Sequence, residues 1–380
     1  MHVLIMRDHW QGALACVQSF GRRGHKVSLM VSPIISAIGR SDYVTALVPA
    51  FAGAEPAAHA RYLIDQVIQL GFDLVVPISD DDALAVALAA EMAPDVGAFV
   101  TPSVAAVALC RDRNATADLC ADLDIPVPRS ATVTRATALD AAEEIGFPCF
   151  LKLSETLASA GVFRVDSAEA LGAHLHRIPE PGCAQIQENI EGTFVGLGGV
   201  AIDGRLKVTV GFEVDERLQL AGTPAFCTPV DGPALDAVLQ KITRHLNWSG
   251  GIDLDMIRRA DGTHFLLEIN PRMSGSINVG LAMGRDLPAA YLEAVGGDAG
   301  DPVFPPKSFD TFVHVVEEAR LFRDAGGRDL ARIIRGQGLV ADNGYPDDSG
   351  YARLVQNQVR KIKRKAFLRH ILGRGDGHGQ

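Results

Sequence analysis

The chain has 380 residues, 47% hydrophobic and 22% charged, with a formal net charge of −10. That is globular composition, long enough for two or three domains with sizeable cores, and the acidic balance argues against a nucleic-acid binder. No apolar run approaches the roughly 20 residues a membrane helix needs. The N-terminus has no signal-peptide cleavage pattern, and the six cysteines lie scattered without a C-x-x-C pair. Together these predict a cytoplasmic protein with free thiols and neither a zinc site nor a disulfide frame.

Residues 2–6 read as a buried strand, 12–25 as a helix and 26–32 as a second strand. Residues 60–72 have apolar positions at helical spacing, 73–79 form a strand, 81–93 a helix and 97–102 a further strand. Strands alternating with helices predict a parallel α/β sheet over about the first hundred residues. A dinucleotide site would want G-x-G-x-x-G after the first strand, and "RDHWQGALA" lacks it. Asp80, Asp81 and Asp82 follow a strand's carboxyl end, where α/β sheets bind ligands. Two readings compete there: a substrate contact, or a helix start with Ser79 as N-cap and acids in the first turn. Asp8, His9 and Trp10, after the first strand, are likewise candidates to line a cleft.

From Thr101 the chain reads as helical up to the prolines of "DIPVP". "GFPCFLKLS" is a buried strand with one lysine, Lys152, and "LASAGVFRV" a small-residue loop running into a strand. "ALGAHLHRI" is a helix, and "CAQIQENIEG" a strand ending at a glycine turn. Residues 194–214 alternate like a hairpin about Asp203-Gly204. "ALDAVLQKITRHLN" puts Leu235, Val238, Leu239, Ile242 and Leu246 on one helical face. No internal repeat is visible. Residues 296–308 form a Gly/Pro-rich linker. The tail from Tyr351 holds eight Lys or Arg and one Asp. A basic helix there, with Val359, Ile362, Phe367 and Ile371 roughly on one side, is either a solvated terminal helix or a weak contact for a membrane surface or a polyanion.

The least bland stretch is "GIDLDMIRRADGTHFLLEINPR". Asp261-Gly262 between alternating apolar runs is a two-residue hairpin signal. With those two as the turn, Ala260 pairs with Thr263, Asp255 lies opposite Glu268, and Asp253 opposite Asn270. All four side chains then share one face. Opposed acids with Cβ atoms roughly 5 Å apart repel unless a cation or a proton intervenes. Two carboxylates and an amide make a hard oxygen set that suits Mg²⁺, with substrate phosphates completing the shell. The alternative is a solvated outer face of an antiparallel sheet.

These residues resemble the ATP-grasp superfamily, in the branch of carbamoyl-phosphate synthase large-subunit domains and D-alanine ligases. The motifs run in order from about residue 104 to 295. "LLEINPRMSGS" resembles the family's metal-binding segment, and Asp255 matches its other metal-binding acid. "FPCFLKLS" resembles the strand whose lysine contacts ATP phosphates. "SETLASAGVFRV" resembles the flexible phosphate loop, with Ser159, Gly161 and Val162 in its small-residue pattern. "IQENIEG" is similar to the hinge bordering adenine, and "CRDRNATADLCADLDIPVP" to the segment that opens the small lobe. The family pattern has Asp-Lys in that segment, where this chain has Asp112-Arg113. After the hinge Phe194 stands where the family carries an acid for the ribose.

The resemblance implies an N-terminal parallel α/β domain followed by a two-lobed ATP-grasp fold with antiparallel sheets. The expected boundaries are a pre-ATP-grasp domain over 1–103, a small lobe over 104–184, a large lobe with the metal site over 185–298 and a C-terminal extension over 299–380. It implies a ligase that makes an acyl phosphate from a carboxylate and ATP and passes it to an amine, releasing ADP and phosphate. Metal ligands would be Asp255, Glu268 and Asn270, for Mg²⁺ or Mn²⁺. ATP contacts would come from Arg113, Lys152, Ser159, Gly161, Gln187, Glu188 and Ile190. Arg272 and Lys152 would act on the transferring phosphoryl group. Kinase-like or carboxylating chemistry, or a catalytically silent nucleotide binder, stay open beside that reading. The sequence names neither substrate.

Overall fold

A computed structural model describes residues 1–8, 11–33, 36–153, 161–214, 224–273, 277–301, 303–304, 306–307, 309, 311–314, 339–341 and 348–372. The chain forms two compact units. One comprises Met1–Leu119, Val195–Asp255 and Glu268–Gln380; the other comprises Cys120–Phe194 and Met256–Leu267.

The first unit opens with β1 (His2–Ile5), α1 (Gln11–Arg22), β2 (Lys26–Val31), β3 (Val44–Pro49), α2 (Pro56–Leu70), β4 (Leu74–Val76) and α3 (Asp80–Met92). The strands form one sheet in the order β3-β2-β1-β4, parallel throughout. Leu4, Met30, Leu63, Val67, Val75 and Val86 pack as the core of this part. Local chemistry sets the helix ends. Glu55 caps α2 by accepting from the backbone of Ala57 and Ala58, Pro56 sits in its first turn, and Gly71 closes it at φ 66°. Ser79 and Asp82 make a full capping box on α3.

Three expectations change here. β3 is a strand the pattern reading passed over, because four of its six residues are exposed. Residues 97–102 contribute only a single parallel bridge, Val75 to Phe99, since one carbonyl, that of Ala98, meets the Val75 N–H (2.9 Å) before Pro102 ends the run. The helix expected from Thr101 to the prolines is two helices, α4 (Val104–Arg111) and α5 (Arg113–Asp122). They break at Asp112, whose Oδ1 accepts from the N–H groups of Asn114 (2.8 Å) and Ala115 (3.2 Å). An aspartate offering such a cap competes with helix continuation.

The second unit holds β5 (Ser130–Val133), α6 (Ala138–Ile145), β6 (Cys149–Leu153), β7 (Val162–Val165), α7 (Ala168–Gly172) and β8 (Ala184–Glu188). Its sheet is antiparallel in the order β5-β8-β6-β7. Val133, Ala142, Cys149, Leu151, Val165 and Ile186 form its core.

The chain continues as β9 (Thr193–Ile202), β10 (Arg205–Val214), β11 (Phe226–Val230), α8 (Pro233–His245), β12 (Gly250–Arg258) and β13 (His264–Asn270), then α9 (Ile277–Ala282), α10 (Leu287–Ala294), β14 (Thr311–Val313), β15 (Leu339–Ala341) and α11 (Ser349–Leu372). A seven-stranded sheet runs β13-β12-β9-β10-β11-β14-β15. β10–β11 and β11–β14 are antiparallel, β14–β15 parallel. β9 and β10 turn on Asp203 (φ 49°) and Gly204 (φ 73°). Two successive positive φ values are what a tight two-residue hairpin needs, as Asp-Gly predicts. On α8, Leu235, Leu239 and Ile242 are buried, on the predicted face.

The C-terminal end of α1 and the N-cap of α10 meet through charge. Asp286 caps α10 at the Ala289 N–H, takes the Ser19 hydroxyl (2.5 Å), and pairs with Arg23 (2.9 Å). α11 is anchored by Asp348, which accepts from the Tyr351 N–H and the Ser41 hydroxyl. None of the six cysteines is in a disulfide, and five of them are buried. Among the described residues no helix is long and apolar enough to cross a membrane.

Candidate functional site

The hairpin of β12 and β13 carries the acids. Its turn differs from the expected one. The Arg259 N–H donates to the Thr263 carbonyl (2.9 Å) and the Gly262 N–H to the Arg259 carbonyl (3.0 Å), with Gly262 at φ 87°. That is a three-residue loop closed by a glycine bulge, not a two-residue turn. Arg259, rather than Ala260, therefore pairs with Thr263. Counted from this turn, the register moves by one residue, so the opposition of Asp255 to Glu268 no longer follows from the count.

Side-chain contacts nevertheless bring the acids together in the first unit. The Asn270 amide donates to Asp255. The same amide's oxygen accepts from Arg272 Nη2 at 2.9 Å. Asp255 also feels the charges of Asp253 and Glu268. Asp253 and Asn270 are buried, at 6% and 5% exposure, while Glu268 at the strand's end is exposed. Burial first, then the Asp253 and Glu268 carboxylates, push the Asp255 carboxyl up to about 8; Arg272 and the Asn270 amide oppose this. An acidic group so placed is uncomfortable when ionised, and a cation would relieve it.

Arg272 follows Asn270 through Pro271, its N–H turned back onto the Asn270 carbonyl (2.9 Å). Its guanidinium meets three groups: Asn270 through Nη2, Asp253 Oδ2 at 3.5 Å from Nη1, and Asp80 Oδ1 at 3.3 Å from Nε. The side chain is 12% exposed. Sequence reasoning had Asp253 on the right strand but gave it no role, and it had no means of pairing Asp80 with Arg272.

The acids at the start of α3 answer the question left open by the sequence. Ser79 and Asp82 cap the helix. In addition each acid faces its own arginine: Asp80 faces Arg272, Asp81 pairs with Arg111 (2.9 Å), and Asp82 pairs with Arg7 (2.8 Å). Asp8 is buried and accepts from the Ser36 N–H at 2.8 Å; His9 and Trp10 lie outside the described residues.

Among the described residues no three side chains of the His, Cys, Asp and Glu types converge as ready metal ligands. Two carboxylates would need further oxygens: the second lone pair of the Asn270 carbonyl, water, or phosphate.

The other expected ligands stand as follows. Arg113 begins α5, half-buried. On the second unit, Lys152 is half-buried on β6, opposite Gln185 on one side and Val162 on the other. The Gly161 carbonyl accepts from the Leu153 N–H (2.9 Å); Ser159 lies outside the described residues. Gln187 is buried opposite Phe150, and Ile190 is buried. Glu188 accepts from both the backbone and the Nε of Arg129, at 3.1 and 3.3 Å.

Residues 225–319 match the family described as "ATP-grasp in the biosynthetic pathway with Ter operon". That stretch contains Asp253, Asp255, Glu268, Asn270 and Arg272. No curated protein matches the chain in sequence. Among solved structures, the fold is similar to an L-amino acid ligase from Bacillus licheniformis (TM-score 0.62, 15% identity, covering 80% of this chain and 78% of that one). It is equally similar to biotin carboxylase from Campylobacter jejuni in a β,γ-ATP complex (0.62, 15%, 78% and 71%). N5-carboxyaminoimidazole synthetase from Staphylococcus aureus, complexed with ADP, also matches (0.61, 16%, 78% of both chains). The family match covers about a quarter of the chain and agrees with the ATP-grasp resemblance of its motifs, and the solved structures share its fold.

Proposed function

We propose that this chain is an ADP-forming ligase: a substrate carboxylate attacks the ATP γ-phosphate, and an amine then displaces phosphate from the acyl phosphate. The observation that carries the reading is the arrangement at Asp255, whose carboxylate takes the Asn270 amide while that amide's oxygen takes Arg272, so that an acid, an amide and a guanidinium stand in one chain of contacts. Folding alone has no use for the acid's charge, whereas a divalent cation does. Asp255, Glu268 and the Asn270 carbonyl would hold Mg²⁺ or Mn²⁺, which when bound supplies charge neutralisation for phosphate oxygens. Arg272 would keep its contacts to Asn270, Asp253 and Asp80 and direct its other N–H groups at the γ-phosphate or acyl-phosphate oxygens. Lys152 and Arg113 would offset further phosphate charge, with Ser159 and Gly161 in the phosphate loop. Gln187, Glu188 and Ile190 would border adenine; since Arg129 engages the Glu188 carboxylate, that residue would act through its backbone.

A carboxylating ATP-grasp reaction is the second reading. It is supported by the equal structural similarity to biotin carboxylase and to N5-carboxyaminoimidazole synthetase. The working site is proposed to be cytoplasmic, with small-molecule partners, and the basic α11 to be a weak anionic-surface contact at most.

The test is ATP turnover with a panel of amino acids and with bicarbonate, following ADP and phosphate. Amino-acid-dependent ADP release supports the ligase, and bicarbonate dependence supports the second reading. AMP as product sinks the acyl-phosphate chemistry, and nucleotide binding without turnover on any carboxylate would make the protein a silent binder.

A further inference from the structure

Asp80 takes no part in the cap of its own helix. The cap of α3 is complete with Ser79 and Asp82, whose side chain and backbone exchange hydrogen bonds. Asp80 Oδ1 is nonetheless buried and receives no hydrogen bond; what faces it is the Arg272 guanidinium, Nε at 3.3 Å. The backbone at Asp80 is itself clamped, because Arg111 Nη1 donates to the Asp80 carbonyl (3.0 Å) while its Nη2 holds Asp81 (2.9 Å). A carboxylate on a pinned helix start is a fixed charge.

The guanidinium it faces is pulled two ways. Asp253 lies 3.5 Å from Nη1, and Asp255, within electrostatic reach of Arg272, adds to the pull from that side. Left to those carboxylates, Arg272 would lean over Asp253 onto Asp255, a proposed metal ligand, cancelling both its charge and its own. Asp80 draws Nε the other way, and Asn270 holds Nη2. Contacts on three sides, one hydrogen bond and two ion pairs, hold the plane of a rigid guanidinium fork.

We propose that Asp80 is a positioning residue: it holds Arg272 off the metal-binding carboxylates and oriented toward the terminal phosphate of ATP. This deepens the function proposed above and rests on it. It also ties the first parallel sheet, through the α3 start, to the phosphoryl-transfer chemistry.

The experiment measures Mg²⁺-dependent affinity of the full chain for ADP and for a β,γ-methylene ATP analogue, with no carboxylate substrate present. Wild type is expected to prefer the triphosphate. Asp80→Asn should cut that preference about tenfold while leaving ADP affinity and the melting temperature near wild type. Asp80→Glu should restore part of it. In an Arg272→Lys background the Asp80→Asn change should add nothing, since the two act as one unit. Asp42→Asn, which acts only at the joint of α11, should leave the preference unchanged. A wild-type preference that Asp80→Asn does not alter, or a loss of equal size in the Arg272→Lys background, overturns the positioning role and leaves the ligase reading standing. Wild type that binds neither nucleotide overturns that reading instead.

Discussion

The first compact unit contains two groups of acids that the fold treats in opposite ways. At the start of α11, Asp348 is fully buried and surrounded by donors. Its Oδ2 accepts from the Ser41 hydroxyl (2.7 Å) and the Gln18 amide (3.5 Å); its Oδ1 accepts from the N–H groups of Asp42 (2.9 Å) and Tyr351 (3.3 Å). Beside it Asp42 takes the Ser349 hydroxyl (2.8 Å) and the Gly350 N–H (3.1 Å). The Ser349 hydroxyl above all, and the Gly350 N–H with it, hold the Asp42 carboxyl below its usual range. At the end of β12 and β13, by contrast, Asp255 has one amide donor and two carboxylate neighbours, and its carboxyl is pushed up. Both groups hold acids close together. Among the described residues only the first is ringed by hydroxyl, amide and backbone donors, and that ring is what folding explains.

The sharpest way to break this comparison is to remove a member of the second group. Glu268→Gln keeps shape and removes charge; Arg272→Ala removes the guanidinium. Either should lower substrate-dependent ADP release about a thousandfold, in keeping with the loss of a preorganised charge at a phosphoryl-transfer site. Steady-state assay with melting temperature in parallel checks it. A variant that loses activity only because it has unfolded would move Glu268 to the structural side of the comparison.

Asp348→Ala attacks the satisfied group and should do the reverse. It leaves Ser41, the Asp42 N–H and the Tyr351 N–H without their acceptor and should cost ~2–3 kcal/mol of stability, read by urea unfolding, with nucleotide affinity per folded molecule unchanged. Gly350 reinforces the same joint: a Cβ there would run into the Arg40 carbonyl, so the first turn of α11 can lie this close only as glycine.

Much of this was readable from the chain, and the limits are instructive. Two of the chain's Asp-Gly pairs, each set between strands, look alike in sequence. Asp203-Gly204 makes the tight turn that both residues' positive φ permits, while at Asp261-Gly262 only the glycine takes positive φ and the loop gains a residue. The dipeptide announces a hairpin but does not fix its length, and the register depends on that length. The strand periodicity and the ordered motifs were enough to put Asp255, Glu268, Asn270 and Arg272 in one neighbourhood. Asp80 was visible as an acid at a strand's carboxyl end, yet its partner lies far along the chain, and no local pattern encodes which arginine a distant fold will deliver. β3 went unseen because an exposed edge strand carries little apolar alternation.

A gentler test sharpens the contrast in sign. Because burial and like charge disfavour ionised Asp255, Asp255→Asn should stabilise the metal-free protein by ~1 kcal/mol while abolishing the rise in melting temperature that Mg²⁺ gives wild type. Stripping metal from wild type with a chelator should cancel the same rise. Destabilisation by Asp255→Asn in chelator would mean that the acid is satisfied after all and that the two groups do not differ.

The smallest expected effect lies at Asp42, and its sign is fixed by linkage. A carboxyl whose folded-state value is depressed contributes stability above its unfolded value, near ~4, and loses it as pH falls through the folded value. Because Asp42 is exposed, solvent screening keeps the contribution under ~1 kcal/mol. Asp42→Asn should therefore lower stability slightly at pH 7, with the gap narrowing as pH falls below ~4. The gap at pH 7 should close in high salt only in part, since the donors are a hydroxyl and a backbone N–H and not an arginine. A gap that persists undiminished at pH 3 would show that Asp42 supports α11 through shape rather than charge, and would leave Asp348 as the one carboxylate whose ionisation the helix joint uses.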